Sequence, residues 1–151
     1  LDKENAILNS LTSVTFRYWK SPFQYPIKNP IVTDEYGYSR KTGSYTIAHK
    51  GTDFRAAEST PVFAMNDGKV KLARVFTVYG NSIVIDHGRG ISTLYLHLSK
   101  LQVKEGQMVK AGQQIGLSGS TGYAEQPHLH LSVKINGVSI DPMVFLSFFK
   151  K

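Results

Sequence analysis

Five histidines, His49, His87, His97, His128 and His130, carry most of the chemical potential of this 151-residue chain. Imidazole changes charge near neutral pH and is a frequent metal ligand. His128-Leu129-His130 is the tightest group. Alternate residues of a strand share a face, so the two imidazoles project together while Leu129 and Leu131 turn to the core. Two rings so close can share a metal, or one can bind while the other moves protons. A solvated pair on a sheet surface is the plain alternative. In His49-Lys50-Gly51-Thr52-Asp53 a histidine and an aspartate stand four residues apart, and Gly51 and Thr52 between them favour a strand or loop over a helix. A carboxylate oxygen beside an imidazole nitrogen suits Zn²⁺. A surface histidine near a turn-capping aspartate has the same spacing.

Between Ile91 and Ser99 the residues alternate. Thr93, Tyr95 and His97 fall on one face, and Leu94, Leu96 and Leu98 on the other. The leucine face is expected in the core, which puts His97 on a polar face open to a substrate or to solvent. Tyr95 is expected beside His97, packed or solvent-facing. His87, next to Gly88, is expected to end a strand outside any ligand set, and its replacement to be nearly silent. Ligand counting sharpens the picture. A catalytic zinc site takes three protein ligands and a water. Two histidines and one aspartate leave a site charge of +1, which draws the pKa of bound water toward ~7. Further histidines then remain to take up a proton and to stabilise or protonate the departing group.

The elements that must hold these residues are β-strands. The length is that of one domain, and 41% apolar residues suffice for a core. Strand-like stretches recur from Ile31 onward: Val62 to Met65, Lys69 to Ala73, Ser82 to His87, Ile91 to Leu98 and His128 to Ile135. Asn136-Gly137 between two alternating runs predicts a two-residue hairpin. Before them, Asp2 is read as capping a short helix over Glu4 to Leu11, and Val14, Phe16 and Tyr18 alternate like a strand. Pro22, Pro26 and Pro30 mark an extended connector. Residues 1–26 are therefore expected to form an N-terminal extension or linker remnant, and residues 27–151 the main domain. The first residue is Leu1, which suggests a processed form or an excised domain. There is no cysteine, so disulfides, thiolate metal sites and cysteine nucleophiles are excluded. No apolar run approaches the ~20 residues of a membrane-spanning helix.

Taken together, the motifs resemble those of the lysostaphin-like, or LytM-type, zinc metallopeptidases, the peptidoglycan endopeptidases of bacterial cell walls. Tyr36-Gly37-Tyr38-Ser39-Arg40 is similar to the family's entry segment, and His49-x-x-x-Asp53 to its first metal motif. Thr60 to Ala64, Asp67-Gly68-Lys69-Val70, Tyr95-Leu96-His97-Leu98, Val103 to Gln107, Gly112 to Gly116 and Ser118 to Gly122 follow in order, then Pro127-His128-Leu129-His130 and the closing Asp141-Pro142. The likeness spans roughly Ile31 to Leu146. It implies a mainly β fold: an antiparallel sheet with a substrate groove, built on a duplicated hybrid motif of barrel-sandwich type. It implies one Zn²⁺ per chain on His49, Asp53 and His130, with His97 and His128 as the catalytic histidines. The implied activity is hydrolysis of peptide cross-links or stem peptides of peptidoglycan by a metal-activated water. Many members place Glu two residues after the last histidine, where this chain has Ser132. Tyr123-Ala124-Glu125-Gln126 also replaces a more usual small, polar stretch.

Other readings fit less of the chain. A non-catalytic activator of other wall hydrolases would lack one or more of the five site residues, and all five are present. Gly68-Lys69-Val70 and the stretch from Val103 to Gln113 resemble half-motifs of biotinyl- and lipoyl-type carriers, but no lysine sits in the setting that modification needs. The formal charge of +7 favours acidic partners. The basic residues are scattered, so anionic wall polymers are expected as partners and nucleic acid is not. The resemblance places the protein in the bacterial cell envelope, periplasmic or wall-associated, as a monomer. A membrane anchor or inhibitory domain could lie in a region outside this sequence.

Overall fold

The computed structural model describes residues 2–37, 39–42, 45–48, 50–124 and 126–149; the side chains of 39–42 and 45–48 lie outside that description. His49, Tyr38 and Glu125 are not among the described residues.

Twelve strands and two helices are described. Helix α1 covers Asp2–Ser10. Strands β1 Val32–Asp34, β2 Ser39–Thr42, β3 Tyr45–Ala48, β4 Thr52–Arg55, β5 Pro61–Phe63 and β6 Gly68–Phe76 follow. Then come β7 Gly80–Gly88, β8 Ile91–Leu101, β9 Met108–Val109, β10 Gln114–Ser118, β11 His128–Ile135, β12 Val138–Ile140 and helix α2 Pro142–Ser147. Ten strands form one sheet with the path β1-β4-β11-β8-β7-β6-β9; β12 extends β11, and β10 joins β8 to β5. β2 and β3 form a separate pair. Every recorded pairing is antiparallel. The mainly β, antiparallel expectation therefore holds.

The five expected strands fall on β5, β6, β7, β8 and β11, with ends displaced by a few residues. β11 has the bounds read from its alternation. The Asn136-Gly137 turn joins β11 to β12 with φ of 50° and 80°, the double positive that a two-residue hairpin requires. Asp141 caps α2 by accepting from the Met143 N–H at 2.9 Å, and Pro142 takes the first helical position, where its missing N–H costs nothing.

The sheet is covered on both faces, and this corrects the reading of β8. Tyr95, Leu98, Leu129, Leu131, Val133, Ile83, Ile85 and Phe54 belong to the main apolar cluster. Leu94 and Leu96 face the other way, into a second cluster with Leu72, Phe76, Val84 and Leu8. Tyr95 and Thr93, expected on a polar face, are fully buried. Their hydroxyls tolerate burial because they bond to each other at 2.6 Å and Thr93 meets His87 at 2.8 Å. The three leucines do not share a face either. Asn81 pairs with Leu98 but Ile83 pairs with Tyr95, so Leu96 and His97 together oppose the single residue Ser82. His97 has φ 59° at this bulge. The extra residue resets the alternation, returns Leu98 to the main cluster and turns His97 to the face of Leu96.

Helix α1 packs on that second cluster. Nine residues are marginal as an isolated helix. Burial of Leu8 anchors it, and the Glu4 carboxylate accepts the backbone N–H groups of Val78 and Tyr79, each at 3.2 Å. Asp2 lies inside the helix rather than ahead of it. The stretch read as a strand through Val14, Phe16 and Tyr18 forms only an isolated bridge, Arg17 to Gly88. Phe23 and Ile27 enter the main cluster. No helix among the described residues is long and apolar enough to cross a membrane.

Candidate active site

Three neighbouring strands bring the site together. β4 carries Asp53, β11 carries His128 and His130, and β8 carries His97. In the antiparallel register His130 lies directly opposite Asp53 on one side and Leu96 on the other. Directly opposed residues point to the same face. Leu129 and Leu131 are fully buried beneath it, as the strand period requires.

The closest contact is between Asp53 and His130. Nδ1–H of His130 donates to Oδ1 of Asp53 at 2.8 Å. Nε2 of His128 stands 3.6 Å from the same oxygen. Asp53 is only 9% exposed, so its carboxylate is not simply a solvated surface charge. On the other side of the imidazole, Nε2 of His130 lies 3.0 Å from Oγ of Ser132, which itself donates to the carbonyl of Lys50 at 3.1 Å.

His97 and His128 are held alike. Nδ1–H of His97 donates to the Thr121 carbonyl at 2.7 Å, and Nδ1–H of His128 to the Gln126 carbonyl at 2.8 Å. A carbonyl oxygen can only accept, so each bond fixes the proton on Nδ1 and leaves Nε2 to exchange one. The rings of His97 and His128 are 5.4 Å apart between centroids, and those of His97 and His130 are 6.2 Å apart, edge to face. Burial lowers the pKa of His97 below the ordinary imidazole value, against the opposing pull of the Thr121 carbonyl, so the ring is neutral near pH 7.

Of the five expected site residues, Asp53, His97, His128 and His130 converge. His49 lies outside the described residues. Among the described residues no three His, Asp or Glu side chains form a complete metal-holding group. Asp53 and His130 nonetheless fit a divalent zinc: a carboxylate oxygen and an imidazole nitrogen face each other across adjacent strands with a hydrogen between them, where a metal competes with a proton for the same lone pairs.

His87 stays out of the cluster, near the end of β7, and its surroundings give it a structural part in the core. It is fully buried, and its two nitrogens meet the Asp67 carbonyl and Oγ1 of Thr93, each at 2.8 Å. The donors run in one direction: Met65 N–H to Tyr95, Tyr95 O–H to Thr93, Thr93 O–H to His87 Nε2, and His87 Nδ1–H to Asp67. A second ring proton would break this order. Burial pushes the His87 pKa down to about 4.

Two supporting residues carry no chemical signal of their own. A Cβ on Gly51 would lie 2.5 Å from Nε2 of His130 and 2.5 Å from the Leu131 carbonyl, so only glycine fits there. Thr121 accepts from the Asn81 N–H at 3.0 Å and donates to the Leu98 carbonyl at 2.6 Å, which fixes the carbonyl that holds His97. The glycine within the His-x-x-x-Asp spacing was the available hint for Gly51; Thr121 needs the three-dimensional contact.

An antiparallel β domain that gathers a buried aspartate paired with a half-buried histidine and two carbonyl-anchored imidazoles on one face has the make-up of a metal-dependent hydrolase. The model of peptidase family M23 matches residues 47–142, and the chain belongs to that family. It is 47% identical over 95 residues to the peptidoglycan DD-endopeptidase ShyA of Vibrio cholerae, covering 63% of this chain and 22% of that protein. Its structure superposes with a TM-score of 0.78 on a zinc-containing peptidase from Vibrio cholerae, at 38% identity over 83% of this chain and 40% of that one. The catalytic domain of lysostaphin from Staphylococcus simulans matches with a TM-score of 0.72 and 40% identity, covering 79% of this chain and 93% of that domain. The chain spans less than a third of the length of the curated relatives it matches.

Proposed function

We propose that this chain is the catalytic domain of a zinc peptidase that hydrolyses peptide cross-links or stem peptides of bacterial peptidoglycan in the cell envelope. The observation that carries the reading is the shared face of Asp53, His130, His97 and His128, with Asp53 and His130 in contact at 2.8 Å. Membership of peptidase family M23 and the peptidoglycan endopeptidase named among the relatives support the substrate class. The zinc-containing structural relative supports the metal.

His49, Asp53 and His130 would hold one Zn²⁺ per chain. A zinc ion there supplies Lewis acidity toward the scissile carbonyl and toward water. The remaining work falls to two rings. His97, neutral near pH 7, accepts a proton at Nε2 while the Thr121 carbonyl keeps Nδ1–H in place. His128, held by Gln126 through Nδ1–H, offers a second Nε2 beside it, which when protonated stabilises developing charge on oxygen or delivers its proton to the departing amine. The substrate peptide lies extended across the face. Residues 1–26 serve as an N-terminal extension or linker remnant ahead of a peptidase domain of residues 27–151, which acts as a monomer.

Digestion of purified peptidoglycan, with fragments identified by mass, tests the reading. Fragments should appear in which one peptide bond has taken up water; a chelator should stop their release, and added zinc should restore it. Zinc-loaded, folded protein that leaves the polymer intact would refute the assignment.

A further inference from the structure

We propose that Ser132 is a positioning residue that keeps a proton on Nε2 of His130 and so reserves Nδ1 for the metal. The inference rests on the reading of Asp53 and His130 as zinc ligands. Ser132 is buried, at 6% exposure, and its hydroxyl carries a single proton. The Lys50 carbonyl, 3.1 Å away, can only accept, so that proton is spent there. Oγ therefore turns lone pairs toward Nε2 of His130 at 3.0 Å, and the contact is a hydrogen bond when Nε2 bears hydrogen. With both nitrogens protonated the ring bonds Ser132 and Asp53 at once, and the Nδ1 proton, shared with Asp53 at 2.8 Å, is the one a metal would displace. The hydroxyl thus selects which nitrogen the metal receives.

The chain builds this contact from its register. Ser132 lies two residues beyond His130 and so shares its face. Leu131 pairs with Thr52, which brings the stretch just before β4 alongside Ser132. Gly51 adds no side chain between them; a Cβ there would meet His130 itself. Lys50 directly follows His49 in sequence, so one hydroxyl ties the backbone next to one expected ligand to the ring of another. Hydrogen bonds of this kind to a metal-binding imidazole are worth about 10- to 100-fold in metal affinity. A glutamate at this position, the residue that the family resemblance leads one to expect, would bring charge and greater length. Serine supplies a short, neutral acceptor whose proton is already committed.

The test compares the chain with Ser132→Ala and Ser132→Thr. Zinc affinity of the stripped proteins is measured by competition with a chromophoric chelator, and exchange of the His130 Nε2–H is followed by nitrogen-labelled histidine NMR of the zinc-loaded proteins. Ser132→Ala should bind zinc about 10- to 100-fold more weakly and lose protection of Nε2–H. Ser132→Thr, which keeps the hydroxyl, should recover both. Tight zinc binding by the unaltered chain with equal affinity in Ser132→Ala would overturn the role of Ser132 alone. Rapid Nε2–H exchange in the unaltered, loaded protein would overturn it without reference to any variant. An unaltered chain that takes no zinc would overturn the metal site and this inference together.

Discussion

The carbonyl of Thr121 accepts the Nδ1–H of His97 at 2.7 Å, so a residue 24 positions away determines which nitrogen of His97 is left to exchange a proton. His97 sits at a β-bulge with φ 59°, and this backbone contact holds its ring at the site.

Replacing His97 with Ala should leave zinc bound and lower turnover by about 10²-fold or more, the usual scale for a group that moves a proton. Metal analysis and peptidoglycan digestion on the same sample check this. Loss of zinc from the variant, or nearly full turnover, would count against the role given to His97.

Gly51→Ala is the smallest change that should damage the site. The new methyl would overlap the His130 ring and the Leu131 carbonyl, both at 2.5 Å. The second contact is backbone and cannot swing aside. The expected cost is about 1–3 kcal/mol of stability from overpacking, together with weaker zinc retention. Thermal unfolding and zinc titration read the two effects separately.

His87 makes stability depend on pH. Its folded-state pKa is depressed by burial from 6.5 to about 4, so the unfolded chain binds the proton first as the pH falls. This contribution is present in full above pH 6.5 and is lost as the pH drops to about 4. At about 1.4 kcal/mol per pH unit across this window it amounts to at most roughly 3–4 kcal/mol. Urea unfolding of metal-free protein at several pH values, compared with His87→Gln, should show the excess slope in the unaltered chain only.

His87→Ala should cost about 2–4 kcal/mol, because it empties a buried volume, removes the acceptor of the Thr93 hydroxyl proton and takes the Nδ1–H donor from the Asp67 carbonyl. The folded fraction should keep its turnover within about twofold, since His87 lies outside the cluster of Asp53, His97, His128 and His130. Denaturation and activity per folded molecule separate these effects.

Much of this was readable from residue types because period two is unforgiving. Leu129 and Leu131 had to be buried if His128 and His130 were to share a face, and Asn136-Gly137 had to turn the chain after them. β8 misled because its polarity pattern assumed one wet face. Leu94 and Leu96 are buried on one side and Tyr95 on the other, and inside the core the Tyr95 hydroxyl is satisfied by Thr93 and Met65 and the Thr93 hydroxyl by Tyr95 and His87. The bulge at His97 has no signature, since a non-glycine residue at positive φ looks like any other in a sequence. Gly51 and Thr121 act through contacts with partners distant in sequence, as does Ser132 toward Lys50, and only the assembled sheet reveals those partners.

The account depends on Asp53 and His130 holding the metal that the reaction needs. The most direct measurement is zinc content together with peptidoglycan fragment release for the unaltered chain and for Asp53→Ala, both shown to be folded. The unaltered chain should hold about one zinc ion per molecule and release fragments, and Asp53→Ala should do neither. An Asp53→Ala protein that keeps its zinc and still cuts the polymer would contradict the account.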